Sequence, residues 1–222
     1  LYTRWFLYTM QGKTHIAGAV ALTTLITQPK TIGEFLLCVG ISAVGGAICD
    51  IDVDGSIGSK QLKKVSGFGI IVLLLLIVAL LTGRAEFSSI ITKENSIART
   101  CFGVVAMFIL CWFGRKQPHR TFMHSILGVA LITLASYLIF TEIWIYMLLG
   151  MLSHIVLDLL NKKKIPLLYP LKKPKFALGL CHADSVVNTA LFYIFSVMCV
   201  FEFGYFIYTL IAVSYTHHRA HE

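Results

Sequence analysis

Four short stretches of this sequence hold residue types that can bind a metal ion: His15 in GKTHIAG, Asp50 and Asp52 in GAICDIDVDGS, His119 and His124 in HRTFMHS, and His154 and Asp158 in SHIVLDLL. Imidazole nitrogen mixed with carboxylate oxygen suits zinc, manganese or iron, and suits calcium or magnesium poorly. His154 and Asp158 are four residues apart, so on a helix they share one face. Asp50 and Asp52 are two apart, which fits an irregular turn offering two carboxylates to one centre. Seven donors exceed the four of a simple zinc site, so the set points to one or two metals. Two metals about 4 Å apart can activate a water and stabilise the leaving oxygen of a phosphoester. Each piece alone has a plainer reading, a helix-capping histidine for His15 and a structural hydrogen bond for His154 with Asp158.

The elements that must position these residues are apolar. The chain has 222 residues, 57% of them hydrophobic and 14% charged, against about 25% charged in an ordinary soluble domain. Seven apolar segments lie near 15–28, 32–49, 66–83, 98–114, 123–141, 143–160 and 186–213, several approaching the length of a membrane-crossing helix. The expected fold is all-α, a polytopic transmembrane bundle of six to seven apolar helices. Pro118 fits the first turn of the fifth segment, with His119 at its entry and His124 deeper. Every candidate ligand then falls at the same end of its segment. Alternate connections carry thirteen lysines and arginines on that side and four on the other, which makes the ligand-bearing side cytoplasmic. Ionisable groups at a membrane boundary are costly unless paired or metal-bound, so their shared end is the strongest sign of a site.

Other readings of the same features are weaker. The net charge of +8 does not indicate nucleic-acid binding, because no motif for it is present and basic loops are usual in membrane proteins. Six scattered cysteines without a CxxC read as buried inert thiols. DIDVDGSIGSKQ (50–61) mimics a calcium loop, but Gln61 stands where a bidentate glutamate belongs. Met10 reads as the natural start, with residues 1–9 translated from upstream, and residues 10–212 form one domain. The closing VSYTHHRAHE (213–222) resembles a translated sequencing adaptor, so His217, His218 and His221 are set aside as ligands.

Met10, Gly12, Thr14 and His15, then GAICDIDVDGS, HRTFMHS and SHIVLDLL, occur in an order that resembles the YdjM-like family of membrane-bound metal-dependent hydrolases. The likeness covers about residues 10–212, and HRxxxHS followed by HxxxD is its most specific part. Proline often precedes the first aspartate in such proteins, where this chain has Cys49, and a histidine often follows in the acidic turn, where it has Asp54. The resemblance implies a late acidic ligand after the basic loop, for which Asp184 is the candidate and His182 the alternative. It also implies hydrolysis with bound metal, related to zinc-dependent phospholipase C chemistry.

The combined expectation is an inner-membrane, multi-pass enzyme cleaving a phosphoester of a phospholipid, isoprenoid phosphate or other amphiphile at the cytoplasmic face. His15, Asp50, Asp52, His119, His124, His154 and Asp158 would hold one or two zinc ions, or manganese or iron. Asp52 would take the proton from an attacking water, while Arg120, with Lys162 to Lys164, would clamp the phosphate. Two alternatives differ in class: a metal- or lipid-binding scaffold acting through the basic loops, and an ion-coupled transporter, for which Glu202 is the one acid deep in an apolar run.

Overall fold

The computed structural model of the protein describes residues 12–53, 56, 58–60, 74, 96–171, 174–180 and 186–219, the last stretch with side chains to 212. Among the described residues the chain is all-helical apart from one isolated antiparallel bridge between Ile165 and Phe176. The helices are α1 (Gly12–Thr27), α2 (Ile32–Ile48), α3 (Ile97–Lys116), α4 (Ile126–Ile139), α5 (Trp144–Leu160) and α6 (Val186–Arg219). Two 3-10 turns, Cys49–Asp52 and Phe122–His124, follow α2 and precede α4. The apolar segment expected at 66–83, apart from Leu74, and the ends at 1–9 and 220–222 lie outside the described residues.

Side-chain capping fixes where the helices begin. Thr31, Ser96 and Ser125 stand before α2, α3 and α4, and their hydroxyls accept the backbone N–H of Glu34, Arg99 and Gly128 at 3.2, 3.2 and 3.0 Å. The cap at Ser125 corrects the expectation for Pro118. The helix starts at Ile126, and Pro118 lies in the preceding turn, where its carbonyl accepts from the Thr121 hydroxyl. His119 and His124 therefore sit in the connection, not on the helix.

Three helices, over Ile32–Asp52, Ile97–Lys116 and Val186–Ala212, are long and apolar enough to cross a membrane by length and composition, and α4 and α5 are shorter apolar helices. Their outer faces expose large apolar side chains, among them Leu36, Trp112, Leu134 and Val200. A water-soluble surface rarely does this over contiguous areas, whereas a lipid-facing one must.

Helix α5 is central, packing against α1, α2 and α4, while α3 pairs with α4 and α6 with α1. Close approach depends on glycine. A Cβ on Gly150 of α5 would meet the Ser42 carbonyl oxygen at 2.6 Å, and one on Gly45 of α2 would meet the Met147 carbonyl oxygen at 2.9 Å. A Cβ on Gly46 would meet Ala19 Cβ at 2.7 Å and the His15 carbonyl oxygen at 2.9 Å. These contacts are with backbone or with a Cβ fixed to it, none of which can swing aside, so α1, α2 and α5 come together only because the side chains are missing. At the other end of the α3–α4 pair, Arg99 Nη2 and Thr100 Oγ1 donate to the last carbonyls of α4, at Tyr137 and Ile139.

Gly150→Val should lower stability by about 1–3 kcal/mol through overpacking, read as a lower unfolding midpoint in detergent. Gly40→Ala, whose added Cβ would meet nothing within 4 Å, should leave the midpoint unchanged.

Candidate metal centre

Helix α2 ends at Ile48, so the carbonyls of its last turn lack their helical partners. Gly46 uses this freedom. Its carbonyl oxygen accepts from His154 Nδ1 at 2.7 Å across the α2–α5 contact. A carbonyl only accepts, so Nδ1 carries the proton and His154 Nε2 carries a lone pair. The His15 ring stacks on the His154 ring at 3.8 Å between centroids, where Gly46 allows α1 close approach. The chain then tightens into the 3-10 turn Cys49–Asp52, with Asp50 at φ −91° and ψ 16°, and this turn sends its two carboxylates in different directions.

Asp50 points inward. His124 Nε2 lies 3.3 Å from His154 Nε2, 3.2 Å from Asp158 Oδ2 and 3.8 Å from Asp50 Oδ1. His154 Nε2 is 3.7 Å from Asp50 Oδ1 and 3.9 Å from Asp158 Oδ2. Four ligands at zinc–nitrogen and zinc–oxygen distances on a tetrahedron stand about 3.3 Å apart, so these donors need to move only tenths of an ångström to share one ion. His15 Nε2 adds a fifth position, 3.7 Å from the other oxygen of Asp158, and His15, Asp50 and His154 form a second group able to hold a metal.

Asp52 turns away from the inner histidines toward His119 while staying buried, its side chain 1% exposed. His119 Nδ1 donates to its Oδ1 at 2.9 Å, and the Arg120 backbone N–H donates to its Oδ2 at 3.1 Å. Asp52 thereby fixes the tautomer of His119, whose Nε2 is buried without a hydrogen-bond partner. Asp50, Asp52 and His119 still form a third group with donor atoms within 4.8 Å of one another. The seven candidate ligands named from the sequence are thus brought together in one place, split into an inner cluster and an outer Asp52–His119 pair. Asp184 and His182 lie outside the described residues.

Arg120 connects the two parts. It is a non-glycine residue at φ 63°, a left-handed conformation that turns its N–H toward Asp52. Its guanidinium is buried, donating to Asp158 Oδ1 at 2.7 Å and to the Lys163 carbonyl oxygen at 3.3 Å. It orients two carboxylates instead of facing open space. This role, and that of the Gly46 carbonyl, could not be singled out in the sequence; the only hint was that Arg120 sits within the histidine motif.

The donor set fits a divalent transition metal on its own chemistry. His15 Nδ1, His124 Nδ1, His119 Nε2 and Asp158 Oδ2 are buried without hydrogen-bond partners among the described residues, a concentration of unmet polar atoms expected where a ligand completes the site. Burial disfavours a charged His124, but the carboxylates of Asp158, Asp50 and Asp52 outweigh it and raise its pKa above the ordinary imidazole value. Among the described residues the site is open on the side of Asp50 and His119. Asp50 and His119 side chains are 19% and 22% exposed, while those of His15, His124, His154 and Asp158 are within 2% of fully buried.

The YdjM inner membrane protein family model matches residues 10–220 of the chain. No curated protein and no solved structure shows significant similarity to it.

Wild-type protein loaded with zinc should retain it through gel filtration, whereas His124→Ala and Asp158→Ala should each fail to, measured by elemental mass spectrometry of purified protein. Arg120→Gln should keep the site but weaken its affinity by about 10–100-fold, as loss of a supporting hydrogen bond does. Because the His124 pKa is raised, protons compete with metal from a higher pH than for a free imidazole. Affinity measured against a chelator should fall as pH falls, about tenfold per unit for each proton displaced.

Proposed function

The chain belongs to the YdjM inner membrane protein family, and on that footing we propose that it is a membrane-bound, metal-dependent hydrolase cleaving a phosphoester of a lipid or other amphiphile at the cytoplasmic face. The observation that carries this reading is His124 Nε2 within 3.2–3.8 Å of His154, Asp158 and Asp50 donor atoms. A metal held there would supply Lewis acidity toward a phosphoryl oxygen and lower the pKa of a water.

The remaining work falls to the chain's own side chains. Asp52, named from the sequence as the proton acceptor, has both oxygens engaged, so proton acceptance passes to the adjacent His119 Nε2. That nitrogen has a free lone pair because Asp52 holds the proton on Nδ1. The nitrogen itself is buried, while the His119 side chain as a whole is 22% exposed beside Asp50, the side from which substrate would enter. Arg120 is committed to Asp158 and the Lys163 carbonyl, so it positions ligands. Phosphate contact passes to the exposed Lys162 and Lys164 of the same loop. The thirteen-to-four imbalance of basic residues between the two sides supports a cytoplasmic site in a multi-pass protein.

Metal-loaded protein in detergent should hydrolyse bis-p-nitrophenyl phosphate or a phospholipid, with turnover lost in His124→Ala. His119→Asn should retain metal and lose about 10²–10⁴-fold in kcat, the usual share of a general base. Metal bound at full occupancy without hydrolysis of any phosphoester in the wild type would leave the cluster as the core of a scaffold.

A further inference from the structure

A second ionisable site lies at the opposite end of α1. A cavity of about 620 Å³ opens between the end of α1, the turn Gln28–Pro29–Lys30 and the middle of α6. Thr24 and Leu25, on its wall, are nine and ten residues along α1 from His15, about 14–15 Å at the helical rise. From α6 come Glu202, Tyr205, Phe206 and Thr209, spaced to share one helix face.

Glu202 is the anomaly. It is the one acidic residue of a helix long and apolar enough to cross a membrane. Both carboxylate oxygens are buried, and neither has a hydrogen-bond partner among the described residues. Lys30 lines the same cavity without bonding to them. Leaving a carboxylate desolvated and unmatched is costly, and a cavity of this size is that of a small-molecule site. Beside the acid stand Phe201, Tyr205 and Phe206, with Phe206 stacked on Phe35 at 4.4 Å between centroids. A carboxylate among aromatic rings is the arrangement that recognises an organic ammonium ion. The apolar remainder of the lining and the exposed flanks of α6 suit an acyl chain, and Lys30 at the loop end suits a phosphate.

We propose that this cavity binds the headgroup of a zwitterionic amphiphile, its ammonium on Glu202 and its phosphate on Lys30, independently of the metal cluster. The test is native mass spectrometry of the full chain in neutral detergent, titrated with phosphatidylethanolamine, phosphatidylglycerol or dodecylamine. Phosphatidylethanolamine should bind at about tenfold lower concentration than phosphatidylglycerol, the scale of one well-made ion pair. Glu202→Gln should abolish that preference and dodecylamine binding, whereas His124→Ala should change neither. Lys30→Ala should weaken phosphatidylethanolamine but not dodecylamine. Equal binding of both lipids by wild type, or an unchanged preference in a folded Glu202→Gln, would overturn the proposal. Should Glu202→Gln fail to fold, Tyr205→Leu on the exposed face decides instead, with a several-fold loss expected for both amines and no change overturning the assignment.

Discussion

The buried pairing of Arg120 with Asp158, at 2.7 Å and with both side chains 2% exposed, is the interaction on which the rest of the cluster depends. Asp158 lies among His15, His124 and His154, and without a fixed cation its carboxylate would be free to rotate toward any of them. The guanidinium takes Oδ1 and leaves Oδ2 directed at His124. The same residue holds Asp52 through its backbone N–H, so one amino acid sets the direction of two carboxylates on different helical segments. Breaking a buried pair of this kind leaves an uncompensated charge, at a cost of about 3–5 kcal/mol. The left-handed backbone at Arg120, itself unfavourable, is what lets the residue reach both partners.

That arrangement requires three helices to meet closely, and glycine meets the requirement. Gly45 and Gly150 bring α2 and α5 to backbone contact, and Gly46 does so for α1 and α2. Gly46 contributes twice, because α2 stops two residues later and its carbonyl is left for His154. Packing and chemistry are therefore set by the same atoms. Ending the helix where it does supplies the acceptor that fixes the His154 tautomer, and the turn that follows separates Asp50 from Asp52. A longer α2 would satisfy Gly46 internally and carry both acids away on a regular spiral.

The convergence of the seven candidate residues at one end was legible in the sequence because it rests on residue type and helical register. His154 and Asp158 at i and i+4 on α5 needed only periodicity. What could not be read was direction. Whether Asp52 faces the inner histidines or His119 depends on dihedral angles in a four-residue turn, which no periodicity encodes. Arg120 looked available to a substrate because its left-handed φ, which buries the guanidinium, leaves no mark in composition. Pro118 suggested a helix start, but the hydroxyl of Ser125 caps α4 seven residues later and prevails, since it satisfies an N–H that proline only avoids needing.

Two acids with buried carboxylate oxygens at opposite ends of α1 show how differently a membrane fold can treat the same charge. Asp158 is surrounded by three imidazoles and an arginine, so its environment is built to keep a carboxylate ionised and aimed. Glu202 has apolar and aromatic neighbours with a lysine that does not bond to it, an environment that stabilises neither charge nor a fixed orientation by itself. A structural acid is expected to resemble Asp158, because burial selects for partners supplied by the fold. An acid whose partner the fold does not supply, at the wall of a cavity large enough to admit one, has its physical explanation in what enters that cavity.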